Sequence, residues 1–516
     1  MNPPDEKLPG LSLAVAAPAP VEPASNARPR VKPVDRSQLT WQMLDVERLI
    51  EAEHPARAIW ELVGQLKLDG FYETIEAAEG QAGRTPWDPR LLISLWIYAY
   101  SRGLSSAREI SRRCRYEPAF QWLCGLGEVN HHTLSDFRVR QAERLEHLFT
   151  QVLAVLSAEG LVTLERVMHD GTKIKALASK SSFCRQERLA EHLAAARQQV
   201  QALKDPEAQE SSRQRTAQAR ARRERQQRLE QALQECQELE QAKSPSKAES
   251  VRVSASDPQA RVMKQPDGGF APAYNVQLST DAAQKIIVGA AVSQSCNDYG
   301  ELLPAMRRVE KTFERLPEQA VADGGFTCRR NILDMAAAGI EFYGSLSEAN
   351  PGSAGLARRG ISPEFYPSAF KYDPPTNTYV CPQGKVLAHR RQKSRPEMVE
   401  HFYRAQRTDC GACPFAEQCC GPKRDQGRVI VRLEERPEVS AFGQKMQTAE
   451  ATAIYRQRSA VAEFPNAWIK AKLGLRQFRL RGLLKVGMEV LWACLTYNIQ
   501  QWIRLSWLPK LDVRAA

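Results

Sequence analysis

The sequence predicts an α/β protein in which a mixed β-sheet is flanked by helices and follows an all-helical domain. Three observations predict this class. Apolar residues recur with helical spacing through residues 39–160, strands alternate with helices through residues 161–346, and residues 451–508 return to a helical pattern. Strands that alternate with amphipathic helices favour a sheet covered by helices. Residues 1–38 are rich in Pro and Ala and are expected to form a disordered tail.

The helical segment, residues 39–160, carries start signals for several short helices. Asp88 followed by Pro89 is the pair expected at a helix N-terminus. A short helix is predicted after Ser105, and a single long helix is predicted to start after Thr133 and to run to Gly160. Short helices with tight turns and arginines on their polar faces are typical of helix-turn-helix-like DNA-binding regions, and the alternative is a plain helical bundle with solvated arginines.

The predicted order within residues 161–346 is β-β-β-α-β-α-β. The strands are predicted at RVMHD, AYNVQLSTD, KIIVGAAVSQS, the stretch that ends in VADGG, and EFYGSL, with helices at ELLPAMRRVEKTF and NILDMAAAGI. Residues 183–248 interrupt this order with leucines at heptad-like spacing on both sides of Asp205-Pro206, which predicts a helical hairpin. Its arginines, which extend from Arg213 to Arg228, are either a solvated face or a contact for a DNA backbone.

Net charge and cysteine usage narrow the class of protein. Lys and Arg exceed Asp and Glu by 72 − 60 = 12, and the isoelectric point is near 9.1, a surplus that attracts polyanions such as nucleic acid. No signal sequence is recognisable, and the longest apolar stretch, Leu91–Tyr100, is too short to span a bilayer. A cytoplasmic protein with no membrane partner is therefore expected, with its cysteines reduced or bound to metal.

Three carboxylates fall at informative places in the predicted order. Asp170 is expected to end the first strand, Asp323 to end the fourth, and Glu463 to lie where the C-terminal helices begin. Each signal is weak alone, because Asp-Gly is a common turn. Active sites in open α/β sheets nevertheless gather at the carboxyl ends of strands, and the first and fourth strands can be neighbours. Converging carboxylates repel one another unless a divalent cation is present, which predicts a site for two Mg²⁺ or Mn²⁺ ions.

Three other acidic residues compete for these roles. Asp298 is expected to end the third strand, and Asp281 lies in a predicted hairpin turn. Both are interpreted as turn residues or as residues close to substrate. Glu489 lies in an apolar C-terminal helix and is the alternative third ligand.

A cysteine cluster lies in residues 347–450, a segment predicted to be loop-like. Cys381, Cys410, Cys413 and Cys419 have the spacing C-x28-C-x2-C-x5-C, with Cys420 adjacent. The central pair has the spacing of a zinc knuckle, and four thiolates can hold Zn²⁺ tetrahedrally. The alternatives are a structural zinc site and reduced thiols without a metal.

Several segments resemble the DDE transposases of bacterial insertion sequences. These segments are HDGTKIKA, DPQARVMKQPDGGFAPAYNVQLSTD, NDYGELLP, VADGGF and YRQRSAVAEFPNAWIKAKLGLRQFRLRGLLKVGMEVLWACLTYNIQQWI. The region before Gly160 is similar to the helical N-terminal domain of InsH-like transposases. The resemblance covers roughly residues 75–505 except for the hairpin. It implies a ribonuclease-H-like catalytic domain formed by residues 161–346 and 451–508.

The C-terminal block of this resemblance carries a Tyr-x2-Arg…Glu-x6-Lys signature. It matches Tyr455, Arg458, Glu463 and Lys470, although four residues separate Arg458 from Glu463 where many relatives have three. Glu463 and Lys470 should share one helix face. Pro465 predicts that a new helix begins close to it, with Glu463 just before. The resemblance implies that Lys470, with Arg458 or Tyr455, positions DNA phosphates.

The implied activity is metal-dependent DNA strand cleavage at the ends of the element, followed by strand transfer into target DNA. Asp170, Asp323 and Glu463 would hold the metal ions. The implied partners are double-stranded DNA, carrying the terminal inverted repeats or the target site, and a second copy of the chain in a homodimer. A nuclease of the same fold and a DNA-binding derivative without catalysis are the alternatives. The expected location is the bacterial cytoplasm, in association with the nucleoid.

Overall fold

A computed structural model describes residues 36–515 except 38, 40, 42, 74, 76–84, 203–211, 245–248 and 346–350. Residues 1–45 and residues 46–516 are two separate units, and the description below concerns the second. Nearly all of the predicted disordered tail, residues 1–38, lies outside the described residues.

The N-terminal region is helical, as predicted. Its helices are Pro55–Gln65 (α1), Asp69–Tyr72 (α2), Pro89–Ser101 (α3), Ala107–Arg113 (α4), Pro118–Cys124 (α5), His131–Arg140 (α6) and Ala142–Ala158 (α7). The predicted cap of α3 is confirmed, because the side chain of Asp88 accepts a hydrogen bond from the amide of Arg90 at 2.8 Å. The single helix predicted after Thr133 is wrong. Asn130 caps an earlier start, and the backbone of Gln141 leaves the helical conformation between α6 and α7.

A six-stranded mixed sheet forms the centre of the unit. Its strands are Arg166–Lys175 (β1), Arg261–Lys264 (β4), Phe270–Asp281 (β5), Ile287–Ser293 (β6), Gln319–Ala322 (β7) and Glu341–Gly344 (β8). Two short strands, Phe183–Cys184 (β2) and Val253–Ser254 (β3), pair with each other in a separate two-stranded sheet. β5 pairs antiparallel with β1, and its outer edge pairs with β4 and β6. β7 lies parallel to β1, and β8 parallel to β7. This order, β6-β5-β1-β7-β8, fits the predicted ribonuclease-H-like mixed sheet, with the first and fourth predicted strands as neighbours.

The first strand is longer than the sequence predicted. β1 continues past Asp170 to Lys175, because the register from Asp170↔Leu278 to Lys175↔Ala273 keeps it paired with β5. The interpretation of Asp170 as the end of a strand is therefore wrong, and its Asp-Gly pair is part of an extended backbone. The sheet surface, not a turn, sets the direction of this carboxylate.

The predicted helical hairpin is present between β2 and β3. It consists of Gln186–Gln201 (α8) and Ser212–Gln241 (α9), while Asp205-Pro206 lies outside the described residues. The heptad-like positions do pack together, and the buried residues of this small core on the two helices are Leu189, Leu193, Ala196, Leu229, Ala232 and Cys236.

The cysteine-containing segment is more ordered than the loop that the sequence predicted. Leu302–Phe313 (α10) and Arg329–Ala337 (α11) precede it, and its own helices are Pro351–Arg358 (α12), Arg407–Gly411 (α13), Ala416–Cys420 (α14) and Pro437–Lys445 (α15). A five-stranded antiparallel sheet contains Lys371–Asp373 (β9), Thr378–Val380 (β10), Val386–Ser394 (β11), Met398–Ala405 (β12) and Val429–Glu435 (β13). The loop-like prediction is therefore wrong. Little in the sequence indicated this sheet because only a few buried residues stabilise it, namely Phe370, Leu387, Tyr403, Ala405 and Ile430.

The C-terminal helices join the N-terminal helices to the central sheet. They are Ala449–Arg456 (α16), Phe464–Ala471 (α17), Leu483–Trp502 (α18) and Leu508–Ala515 (α19), with wide π-helical turns at Ser459–Glu463 and Ile503–Trp507. On α18, the ring of Trp492 lies 6.4 Å from that of Trp96 in α3, while Asn498 hydrogen-bonds both backbone groups of Ile287 in β6. Among the described residues, no helix combines the length and the apolar character needed to cross a bilayer.

Candidate active site

Asp170 lies in β1, and Asp323 directly follows the neighbouring parallel strand β7. The register pairs His169 with Ala322, so each aspartate is the next residue along its strand direction. Asp170 Oδ1 accepts from the amide of Gly171 at 3.0 Å, and Asp323 Oδ1 accepts from the amide of Gly325 at 2.8 Å. Burial, together with the negative charge of Asp323, raises the pKa of Asp170 to about 6. The two carboxylates are therefore close enough for the charge of Asp323 to disfavour the ionised form of Asp170.

The opposite face of β1 shows why the residue after Asp170 is glycine. A Cβ atom at Gly171 would lie 2.6 Å from Gln277 Nε2 and 2.7 Å from Asp298 Oδ1. Asp298 accepts hydrogen bonds from Lys173, Asn275 and Gln277. Burial raises the pKa of Asp298, but the hydrogen bonds from Asn275 and Lys173 outweigh burial and lower it overall. Asp298 lies in the loop after β6, not at the end of that strand, and acts as the ion-pair partner of Lys173.

Asp281 and Glu489, the other two alternative acidic residues, accept hydrogen bonds from backbone amides. Asp281 Oδ2 accepts from the amides of Thr163 and Leu164, at 3.1 and 2.8 Å. The carboxylate of Glu489, which is fully buried, accepts from the amides of Arg479 and Leu480. These hydrogen bonds assign both residues to local backbone structure.

Glu463 ends a π-helical turn that brings it to Arg458. In a π-helix each hydrogen bond spans five residues, one more than in an α-helix. Arg458 and Glu463 are five residues apart, and the guanidinium Nη2 lies 2.9 Å from Glu463 Oε1. The wide turn therefore accommodates the four residues that separate Arg458 from Glu463 and lets their side chains pair. The charge of Arg458 also acts on Asp170, so this guanidinium stands near both carboxylates.

The helix after Glu463 docks on β1 through two polar side chains. α17 begins at Phe464, as Pro465 predicted. Asn466 Nδ2 donates to Asp170 Oδ2 at 2.9 Å, and Lys470 Nζ donates to Thr172 Oγ1. Sequence reasoning missed Asn466, although it lies three residues after Glu463 and four before Lys470, which is the spacing of one helix face.

The aromatic residue of the signature packs behind this helix. Tyr455 contacts a small core that includes Met168 and Val321, and its ring centroid lies 6.0 Å from the guanidinium carbon of Arg458. Tyr455 therefore packs against the same strands, β1 and β7, that carry or precede Asp170 and Asp323.

The carboxylates do not form a ready-made metal site. Within the part of the chain that the structure describes, no group of three or more His, Cys, Asp or Glu side chains is arranged to hold a metal ion. Asp170 and Asp323 are neighbours, whereas Glu463 pairs with Arg458, and its side chain is 52% exposed. Direct convergence of all three carboxyl groups, which the sequence predicted, is not seen.

The four predicted cysteines lie together around one cavity in the insertion. Cys381, Cys410, Cys413 and Cys419, together with Cys420, line a cavity of about 30 Å³. The amide of Lys385 donates to Cys381 Sγ, and the amide of Arg428 to Cys410 Sγ, each at 3.3 Å. Such N–H···S contacts favour thiolate ligands, although the sulfurs are not in metal-binding geometry as described.

Two family models match the chain. Residues 44–140 match a family described as "Transposase domain (DUF772)", which covers α1 to α6. Residues 380–503 match a family described as "Transposase DDE domain", and this range contains the cysteine cluster, Arg458, Glu463 and Lys470. A search of curated proteins found no significant match. Two separate parts of the chain are therefore similar to transposase families, one of them a DDE domain, and the mixed α/β sheet lies between these two parts in the sequence.

Proposed function

We propose that this transposase cleaves DNA strands at the ends of its element and transfers the freed 3′ ends into target DNA. Asp170, Asp323 and Glu463 are the proposed metal-binding carboxylates. One observation carries the proposal. Asp170 and Asp323, the residue just after the end of β7, follow paired positions of two parallel strands, and Asn466 ties the helix that begins after Glu463 to Asp170.

The chemistry of these residues fits a divalent cation. Burial, and then the charge of Asp323, raises the pKa of Asp170 to about 6, so that a cation beside this carboxylate would stabilise its ionised form. Carboxylate oxygens are the ligands that Mg²⁺ and Mn²⁺ prefer. When bound, two such ions would supply an activated water and stabilise the leaving oxygen of a phosphodiester.

The basic residues of the site are suited to hold phosphates. Arg458 is ion-paired with Glu463 and its charge also acts on Asp170, while Lys470 lies beside Thr172, two residues from Asp170. Burial lowers the pKa of Lys470, although the charge of Asp170 opposes this effect. A DNA strand at the carboxylates would be flanked by both cations, with Tyr455 supporting Arg458 from behind.

Two further assignments belong to this proposal. The helical N-terminal domain, with a second copy of the chain in a homodimer, would hold the terminal repeats of double-stranded DNA. The cysteines around the insertion cavity would bind a structural Zn²⁺, because four thiols and two amide donors converge there.

The test compares cleavage, joining and binding in the same preparations. The DNA probe is a labelled duplex that carries the inverted repeats flanking the gene, supplied intact or pre-cut, in Mg²⁺. Asp170→Asn, Asp323→Asn and Glu463→Gln should each abolish cleavage and joining, while a gel-shift assay shows nearly unchanged DNA binding. Loss of groups that act mainly in the transition state lowers kcat more than binding.

Glu450→Gln is the matched control, because Glu450 is an exposed carboxylate in the first turn of the neighbouring helix α16. It should cleave as the parent does. Full cleavage by Asp323→Asn would contradict the metal mechanism. A parent enzyme that cleaves but never joins pre-cut ends would be a nuclease instead.

A further inference from the structure

We propose that Asn466 is a positioning residue of the metal site, which orients the carboxylate of Asp170 and offers its amide oxygen to the hydration shell of the bound cation. This inference rests on the proposed function, because it concerns the carboxylate assigned there to metal binding. Neither family match nor the sequence signature assigns a role to this asparagine.

The hydrogen bonds of Asp170 show how its direction is fixed. Asn466 Nδ2 donates to Oδ2 at 2.9 Å, while the amide of Gly171 donates to Oδ1 at 3.0 Å. Each oxygen thus has one donor, and rotation of the carboxyl group would break both contacts. Partners that orient a metal ligand in this way commonly decide how tightly the metal is held.

The other atom of the same carboxamide lacks a partner. Asn466 is only 7% exposed, and its Oδ1 is buried without a hydrogen-bond donor among the described residues. Buried polar atoms in folded proteins normally have partners. Because Nδ2 of the same carboxamide contacts Asp170, the unpartnered Oδ1 also lies close to that carboxylate. A metal-bound water is a donor that would arrive at this place when the site is loaded.

A purely structural role for Asn466 makes a different prediction. Nδ2 also lies 3.3 Å from the carbonyl oxygen of Ala462, so the side chain could act only as a tether within the helix. A tether would affect thermal stability without affecting the affinity of the protein for a cation. Metal affinity and stability therefore separate the two roles.

The experiment titrates full-length protein with Mn²⁺ and follows the free ion by electron paramagnetic resonance, with thermal unfolding measured in parallel. Asn466→Ala should weaken Mn²⁺ binding by about 10- to 100-fold, the usual effect of removing a partner of a metal ligand. Asn466→Leu fills a similar space without either polar atom and should show the same loss. It keeps the test usable if the smaller side chain unfolds the protein.

Asn498→Ala is the matched control, because Asn498 is also buried but hydrogen-bonds only the backbone of Ile287. It should lose stability and keep its Mn²⁺ affinity. If Asp170→Asn weakens Mn²⁺ binding and neither Asn466 variant does, the positioning role is refuted while the proposed function stands. If Asp170→Asn itself leaves Mn²⁺ binding unchanged, the metal site of the proposed function is wrong. If Asn498→Ala weakens Mn²⁺ binding as much as the Asn466 variants do, the loss of affinity is a general effect of lower stability and the positioning role is refuted.

Discussion

Asp170 lies where the central sheet meets the C-terminal helices, and its surroundings disfavour the ionised form of its carboxyl group. Burial and the neighbouring Asp323 favour the protonated form, whereas Arg458 and Asn466 favour the anion. The first pair of effects is larger, and the pKa rises to about 6. The folded protein without metal therefore carries an unfavourable charge at neutral pH, which a cation at this place would relieve.

This imbalance predicts a pH-dependent stability in the absence of metal. The pKa of an aspartate in the unfolded chain is about 3.9. Because the folded value is higher, the contribution of Asp170 to stability is complete below about pH 4 and is lost as the pH rises through about 6. The full loss is up to about 3 kcal/mol, at 1.36 kcal/mol per pKa unit.

Asp170→Asn should therefore gain stability relative to the parent as the pH increases from 4 to 7. Thermal unfolding in a chelating buffer, measured at several pH values on both proteins, checks this difference. Saturating Mg²⁺ should restore the stability of the parent and not that of the variant. A constant difference between the two proteins across this range would mean that Asp170 ionises normally.

At the scale of elements, the sequence predicted what periodicity and helix signals encode. The cap at Asp88 and the hairpin follow from local patterns, whereas the adjacency of the first and fourth strands was expected from the order of elements in an α/β sheet. The register that extends β1 beyond Asp170 depends on a partner strand about a hundred residues away, which local patterns do not contain. Asn466 escaped notice for a similar reason, because an asparagine on a helix gains a role only when the strand beneath it is known.

The cysteine-containing insertion gives a prediction at the same scale. Its thiols line one cavity, and two backbone amides already point at the sulfurs. We expect purified protein to contain about one zinc ion per chain, as four thiolate ligands imply. Cys381→Ser should lose that zinc and unfold at a lower temperature, as elemental analysis and a thermal scan would show. Cys296→Ser, at an exposed cysteine outside the cluster, is the control and should change neither. Zinc-free parent protein would leave the cysteines as ordinary thiols.

At the scale of the whole molecule, the net charge of +12 governs contact with DNA. Each phosphate that the protein neutralises should add about −0.9 to the slope of log affinity against log salt concentration. We expect binding to duplex DNA to weaken steeply between about 50 and 200 mM salt, measured by fluorescence anisotropy. An affinity independent of salt would contradict a phosphate-dominated contact.

The same titration decides the role of the arginine-rich hairpin. Arg220 pairs with Glu224 at 2.9 Å, and Arg225 hydrogen-bonds Gln199 at 3.2 Å, so these side chains already serve the hairpin itself. A triple variant, with Arg220, Arg223 and Arg225 changed to Gln, should therefore keep the slope of the parent. A smaller slope would assign this surface to DNA instead.

The wide turn at Ser459–Glu463 has a consequence for how such proteins can change in length. One residue inserted into a regular α-helix rotates every later side chain by about 100°, because each turn holds 3.6 residues. Here the wide π-helical turn takes up the additional residue, so the side chains of the following helix still face the sheet. An insertion of one residue at this point should thus leave the orientation of the following helix nearly unchanged. A change of one residue between Arg458 and Glu463 is therefore expected to leave the helix face that carries Asn466 and Lys470 in place.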